Sequence, residues 1–537
     1  MTRWGMVVDL GRCVGCQTCT IACKMENGLP PGTLWRTVLD LESGEFPDVK
    51  RQFFPLTCMH CADPPCHDAC PTTATKVRAD GIVWIDDDIC IGCGSCVVAC
   101  PYRARHLVPL ERYYFDEATP PELATYNLDR VGICTKCHFC YHKFDAAPSD
   151  ARPGEDPEYT PSCASSCIAD VIRFGDLDDP DSTVARMVAQ HTGAARMLEH
   201  LGTQPSVYHL NAPRIDPRPP ERQHTWHGLA VANFLCGPTG VGLYLVAVLT
   251  GWLSGPSAPL LDLANPLASL AGWSPDAFAP RQWAGLLGPA LVALGLLSVA
   301  AEAGRPFRGV NVFRNLRRSW MSRESGFAML FMALAVLDTL LWESPPVQAV
   351  AALAGLGLVL AQGLILSKAK GVPAWSVPIM PLYFITSALA FGYGALLVLV
   401  SLHADLGLQV WTWAALGIAL AAVDLLVWRR YLATPPRTDT FRHSVALLKQ
   451  PPWRLGIEGV GHALPAGLLA AAALLPAIAL PLLAAAGLCL LAGGALARIA
   501  LILKAAYLVD LFDGFGMTPA QDLAPARVQP QPATQAA

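Results

Sequence analysis

Sixteen of the nineteen cysteines in this 537-residue chain fall into four spaced quartets before residue 168. The first runs C-x2-C-x2-C-x3-C through Cys13, Cys16, Cys19 and Cys23. The second is Cys58, Cys61, Cys66 and Cys70, with two extra residues between its second and third members. The third repeats the first spacing at Cys90, Cys93, Cys96 and Cys100, and the fourth is Cys137, Cys140, Cys163 and Cys167. Chance does not repeat such spacing four times.

Runs of this kind suit iron–sulfur chemistry, in which three close thiolates hold one 4Fe–4S cubane and the fourth, remote cysteine ligates another. Sixteen ligands at four per cluster predict four 4Fe–4S clusters and a wire for single electrons. A disulfide framework is the competing reading. Tight C-x2-C-x2-C triads argue against it, as does the start MTRWGMVVD, which has neither an apolar leader nor a twin-Arg pair. Reduced thiols without an export signal predict assembly in the cytoplasm.

Apolar residues make up 53% of the chain and mean hydropathy is +0.36, too high for an ordinary soluble protein. Two unlike halves explain this. Residues 1–225 hold most of the acidic, Pro and Cys content, whereas residues 226–510 are Ala-, Leu-, Gly- and Val-rich in runs long enough to cross a bilayer. The net charge of −4 says little about partners, and no basic–aromatic stripe points to nucleic acid. Short apolar strands are predicted at residues 4–10, 53–56 and 82–85, each ahead of a quartet. Pro71 and Pro101 follow Cys70 and Cys100, the C-P ending of the bacterial ferredoxin run. The predicted fold is an α/β double bacterial-ferredoxin-type iron–sulfur domain followed by an all-α eight-helix transmembrane bundle. Its predicted boundaries are 1–210 for the iron–sulfur domain, 211–227 for a Pro-rich linker, 228–510 for the membrane anchor and 511–537 for a disordered tail. An amphipathic helix is predicted near 183–201.

The stretches CVGCQTCTIACK, CMHCADPPCHDACP, CIGCGSCVVACPY and KCHFC…PSCASSC resemble the four-cluster subunit of the dimethyl sulfoxide reductase family of molybdenum enzymes. The resemblance implies a separate catalytic subunit carrying a molybdopterin cofactor. With the crossed-ligand rule it also implies four ligand sets. They are Cys13, Cys16, Cys19 with Cys167; Cys137, Cys140, Cys163 with Cys23; Cys58, Cys61, Cys66 with Cys100; and Cys90, Cys93, Cys96 with Cys70. Cys134 is read as a non-ligand thiol.

Hydropathy predicts eight spans, at about 229–252, 284–303, 326–342, 347–366, 378–402, 410–428, 462–480 and 482–509, most of them long enough for the ~30 Å hydrocarbon layer. Fourteen Lys and Arg, from Arg305 to Arg454, fall in loops on the N-terminal side, against Arg281 alone on the other. That bias predicts an inner-membrane, multi-pass protein with its iron–sulfur domain facing the cytoplasm. A competing reading is that the basic face docks an acidic partner.

The segments EAGRP at 302–306 and NLRRSWMSRE at 315–324 resemble the quinol-oxidising anchor of dimethyl sulfoxide reductase, whose fold is related to that of polysulfide reductase. Glu324 stands at the position of that anchor's functional Glu, and Glu302 replaces its His. The resemblance implies a quinone site with Glu324 and Glu302 as proton-handling groups, and His227, then Asn233, as weaker candidates. Asp424, Arg498 and Lys504 are further end-of-span charges on the same side; Asp338 and Glu343 are expected to meet water at the far side. The reading is a non-catalytic electron-transfer and membrane-anchor subunit of a molybdopterin oxidoreductase, with membrane quinone as its second partner. The alternative is an ion-translocating respiratory module using the same wire.

Overall fold

The computed structural model describes residues 2–212, 215, 218–253, 280–341, 344–403, 409–436, 438–513 and 515. The apolar run at the start of the chain forms the strand Trp4–Asp9, whose Met6, Val7 and Val8 are fully buried. It is the middle strand of a three-stranded sheet, antiparallel to Ile172–Asp176 and parallel to Val207–Leu210. Three two-stranded ribbons flank it: Thr37–Ser43 with Lys50–Leu56, Thr75–Val77 with Val83–Ile85, and His106–Leu107 with Cys134–Thr135. Between them run short helices and loops that carry the cysteine quartets. Little of this region is regular, because backbone and side chains must curl around the thiols rather than extend a sheet.

Two expectations need correction. The helix expected near 183–201 ends at Gln190. Ser182 caps its start by accepting from Ala185 N–H at 3.1 Å, but Thr192 and Gly193 are poor helix formers, and the chain turns there. Residues 511–513 and 515 are not loose tail. Phe512 and Phe515 stack edge-on against Phe54 in the iron–sulfur domain, and both are buried. The chain returns there through a seam in which Leu508 N–H donates to Glu221 O at 2.7 Å and Arg222 covers Tyr507. Residues 516–537 lie outside the described residues.

Among the described residues, seven helices are long and apolar enough to cross a membrane: Gly228–Trp252, Pro280–Glu302, Pro345–Ser367, Met380–Leu402, Val410–Leu432, Pro451–Leu474 and Pro476–Lys504. An eighth long helix, Trp320–Leu340, packs beside Pro280–Glu302 and Pro345–Ser367. It carries Arg323, Glu324 and Asp338, which offset its apolar residues. The break between the last two spans lies at Leu475 and Pro476, earlier than expected, because the penultimate span begins at Pro451 and includes a π-helical stretch, Leu455–Ala463.

Helix packing relies on small residues, as it does in bilayers generally. A Cβ on Gly242 would lie 1.8 Å from Ala388 O, and one on Gly392 would lie 2.0 Å from Gly242 C. Gly242→Ala is therefore expected to push the first span off the helix Met380–His403 and cost about 1–3 kcal/mol. A lowered thermal midpoint in detergent would register this; an unchanged midpoint would show that the crossing is looser.

The two halves meet along the segment 302–324. Arg305 donates through Nε to Val131 O at 3.0 Å, and Arg308 through Nη1 to Asp87 O at 2.7 Å. Asn315, Ser319 and Ser322 donate to the carbonyls of Cys70, Ala69 and Pro71 at 2.7, 3.2 and 3.1 Å. Gly92, Gly132 and Gly304 touch backbone to backbone here, and a Cβ on Gly92 would lie 2.2 Å from Gly132 O. Part of the loop Lys/Arg excess thus has a second physical role, holding the iron–sulfur domain onto the helices. Arg437 and Glu343 lie outside the described residues.

Candidate functional site

Each quartet places a cysteine on a short helix: Cys19 and Cys23 on Thr18–Glu26, Cys66 on Pro65–Ala69, Cys96 on Ser95–Ala99, and Cys163 on Ser162–Ser165. The loop in front reverses through left-handed residues. Gly15 (φ +69°) and Gly92 (φ +70°) each lie between two cysteines of a C-x2-C pair, where the missing Cβ lets the backbone wrap inward. Backbone amides then point at sulfur: Thr75 N–H at Cys70 Sγ (3.4 Å), Phe139 N–H at Cys137 Sγ (3.4 Å) and Val171 N–H at Cys167 Sγ (3.3 Å). Asn27 Nδ2 lies 3.7 Å from both Cys23 Sγ and Cys140 Sγ, although 113 residues apart from the latter in sequence.

The fold brings thiols of different quartets near one another. Cys13 neighbours Cys16 and Cys167, and Cys19 neighbours Cys13 and Cys167. Cys23 neighbours Cys137, Cys140 and Cys163. Cys61 neighbours Cys58, Cys66 and Cys100. Cys70, Cys90, Cys93 and Cys96 line one small cavity. The groups adjoin in a row: Cys19 meets Cys163, Cys137 meets Cys58, and Cys66 meets Cys96.

Among the described residues, no three His, Cys, Asp or Glu converge tightly enough to chelate a lone metal ion. Ligands of a single zinc would each sit ~2.3 Å from it, whereas ligands of a cubane stand apart around a larger body. Cysteines set around a shared cavity, as Cys70, Cys90, Cys93 and Cys96 are, suit a 4Fe–4S cluster. Burial pushes the Cys66 and Cys140 thiols up to about 12, so loading iron there must displace protons. Cys16, exposed at the surface, shifts the other way because Thr18 hydrogen-bonds its sulfur. Cys134 is buried, and its sulfur accepts from Cys96 Sγ at 3.4 Å.

At the membrane end of the row, Trp226 Nε1 donates to Cys93 O at 3.2 Å. A small pocket of about 20 Å³ lies there, lined by Cys93, Trp226, Asn233, Glu302, Met321 and Glu324 among others. Glu324 is almost fully buried and accepts from Asn233 Nδ2 at 3.0 Å and Gln362 Nε2 at 2.8 Å. Glu302 accepts from the His227 backbone N–H at 2.8 Å, while the His227 ring stays exposed and outside the lining. A second, wider opening shares Trp226, Met321 and Ile365, and reaches outward past Arg318, Trp320 and Lys368.

Residues 49–109 match the family model described as a 4Fe-4S dicluster domain. The chain is 41% identical over 223 residues to a subunit of the selenate reductase of Mesobacillus selenatarsenatis, covering 39% of this chain and 72% of that one. It is 35% identical over 230 residues to the menaquinone reductase iron–sulfur cluster-binding subunit of Nitratidesulfovibrio vulgaris, 39% of this chain and 89% of that one. With a subunit of the tetrathionate reductase of Salmonella typhimurium it shares 36% over 211 residues, 39% and 72% of the two chains. This chain belongs to the family of iron–sulfur subunits of molybdopterin reductases. Members of that family are electron-transfer subunits that partner a catalytic molybdenum subunit. Here a long helical region is joined to the family's iron–sulfur part.

Other ionisable groups lie elsewhere than expected. Asp338 does not meet water: it is 4% exposed and accepts from Tyr244 OH at 3.1 Å and Gln348 Nε2 at 3.0 Å. Arg498 is likewise enclosed by protein. It is fully buried, donates to Phe234 O and Ser387 Oγ, and lies 3.9 Å over the Phe384 ring. Asp424 accepts from Thr386 Oγ1 at 2.7 Å and His462 Nε2 at 3.1 Å. Lys504 is exposed. Gln362 and His462 escaped sequence reading, since a lone polar residue on an apolar helix carries no motif; their spacing to Glu324 and Asp424 is 38 residues in both cases.

Proposed function

We propose that this chain carries single electrons through four 4Fe–4S clusters between a molybdopterin catalytic subunit and membrane quinone, and anchors that subunit to the membrane through eight helices. The observation that carries the reading is the pocket walled by Cys93 on one side and by Glu302 and Glu324 on the other. A quinone ring entering through the adjoining wider opening, which shares Trp226, Met321 and Ile365 with this pocket, would come close to the last cluster and to carboxylates that can exchange its protons. The name of the Nitratidesulfovibrio relative, a menaquinone reductase subunit, agrees with this. At the opposite end, Cys16 is exposed, and Val14, Ile21, Met25 and Ile168, on the segments that carry the first quartet and Cys167, are each more than half exposed. Exposed apolar residues on those segments suit docking of the catalytic subunit, where electrons enter or leave.

The test is quinol reduction of the iron. Membranes holding the whole complex, oxidised and then given a menaquinol analogue, should develop the signals of reduced 4Fe–4S centres within turnover time. If dithionite reduces the clusters but quinol does not, the anchor is not a quinone site.

The iron–sulfur domain is assigned to the cytoplasmic side of the inner membrane, on the Lys/Arg bias of the loops. A reporter fused after Ala537 should be active only in the cytoplasm, and protease added to intact spheroplasts should spare residues 1–225. Cleavage there would assign the wire to the periplasm.

A second reading, an ion-translocating module, draws on the buried Asp424–His462 pair and Arg498 in the other half of the bundle. It requires that quinone turnover in closed vesicles move protons beyond those of quinone chemistry itself.

A further inference from the structure

Three cations are buried inside the iron–sulfur domain, and among the described residues none has a carboxylate partner. Arg36 is 1% exposed, Arg105 3% and Lys136 3%. Burying an unpaired charge is expensive unless something anionic compensates it. The groups around them show what does so.

Arg36 donates through Nη2 to Cys163 Sγ at 3.5 Å and also neighbours Cys19 and Cys137, so it stands between the first and second thiol groups. Its Nε and Nη1 have no protein partner although fully enclosed. Arg105 donates through Nη2 to Cys66 Sγ at 2.9 Å and neighbours Cys96, so it stands between the third and fourth groups. Lys136 lies between the second and third: Nζ is 3.4 Å from Cys58 Sγ and donates to Cys137 O and Val83 O. All three ammonium hydrogens are thereby used. One cation therefore occupies each of the three junctions in a row of four groups.

We propose that Arg36, Lys136 and Arg105 are positioning residues of the electron wire, each raising the reduction potential of the two clusters that flank it. The inference rests on the four-cluster reading above. Each hop moves one electron from a reduced cluster to its oxidised neighbour, with no bond made or broken and no proton required. Each hop takes one negative charge from the donor cluster and adds it to the acceptor, and a fixed cation at the junction favours the reduced state of whichever cluster holds the electron. Placing it between clusters, rather than beside one, keeps neighbouring potentials from being driven apart by burial alone. Hydrogen bonds to sulfur, net charge and burial are the recognised levers on such potentials; here all three converge on single side chains.

The test uses the full chain in its complex, with iron content and redox titration followed by electron paramagnetic resonance. Wild type first decides the underlying reading: far fewer than four 4Fe–4S centres would end it regardless of the cations. Arg36→Gln should then shift two of the four midpoints downward by at least a tenfold change in the oxidised-to-reduced ratio, about 59 mV for one electron. Arg105→Gln should move the other two, and Lys136→Gln one from each pair. Arg36→Lys and Arg105→Lys should recover most of the shift. If a glutamine variant instead loses only its two flanking clusters while the rest persist, that pattern supports the same assignment. Full iron with unmoved midpoints, equal shifts in all four, or uniform loss of all four clusters would overturn it.

Discussion

Glu324→Gln is expected to lower quinone-coupled turnover by about 10²–10⁴-fold, the range over which a positioned acid–base group contributes, while leaving the clusters intact. The side chain is buried beneath the pocket and held by two amide donors, Asn233 Nδ2 and Gln362 Nε2. Glutamine keeps the volume and the acceptor oxygen, and either partner amide can turn to receive its NH2. What it cannot do is take up and release a proton. The measurement is menaquinol oxidation or menaquinone reduction by membranes of the whole complex. It is compared with reduction of a soluble dye that exchanges electrons with the clusters directly, and with iron content. Loss of the quinone assay alone identifies the proton-handling carboxylate. Equal loss of both assays would mean an assembly defect, and unchanged quinone turnover would move that role to Glu302, the other carboxylate of the same pocket.

The second large effect separates two cysteines three residues apart. Wild type is expected to hold about sixteen iron and sixteen sulfide, four per cluster at sixteen ligands. Cys137→Ser should remove one cluster, and with it transfer along the row, because Cys137 sits where the second group meets the third through Cys58. Cys134→Ser should leave the iron count unchanged. Its sulfur belongs to no quartet and lies 3.4 Å from Cys96 Sγ as a hydrogen-bond partner, a contact a hydroxyl can also make. An equal loss of iron in both variants would assign Cys134 as a ligand and require a different set around Cys96.

The cysteine spacing and the apolar runs made the two halves readable from sequence, because both are strict local patterns with few physical alternatives. The pairing of a motif at 302–324 with the second and third quartets was not readable. Asn315, Ser319 and Ser322 there donate to backbone carbonyls more than 200 residues away, and backbone acceptors carry no sequence signature. Asp338 was misjudged for a related reason: an end-of-span charge looks alike whether water or a Tyr244 hydroxyl awaits it. The wire's cations were equally hidden. Arg36 lies thirteen residues past Cys23 and Arg105 five past Cys100, and only the fold turns both guanidiniums back onto sulfur.

The return of the chain after its final span has a consequence for how the protein is made. Phe54 belongs to the ribbon that leads into the second quartet, yet its ring is enclosed by Phe512 and Phe515, and Val509 N–H donates to Gly371 O beneath the same domain. A ribosome delivers those residues only after every helix of the bundle. The metal-binding half, though translated first, stays open on this side until membrane insertion is finished. Completion of its core thus becomes a checkpoint that reports a correctly threaded anchor. A version split into two polypeptides at the linker would need the 505–515 segment supplied in trans before that half could close.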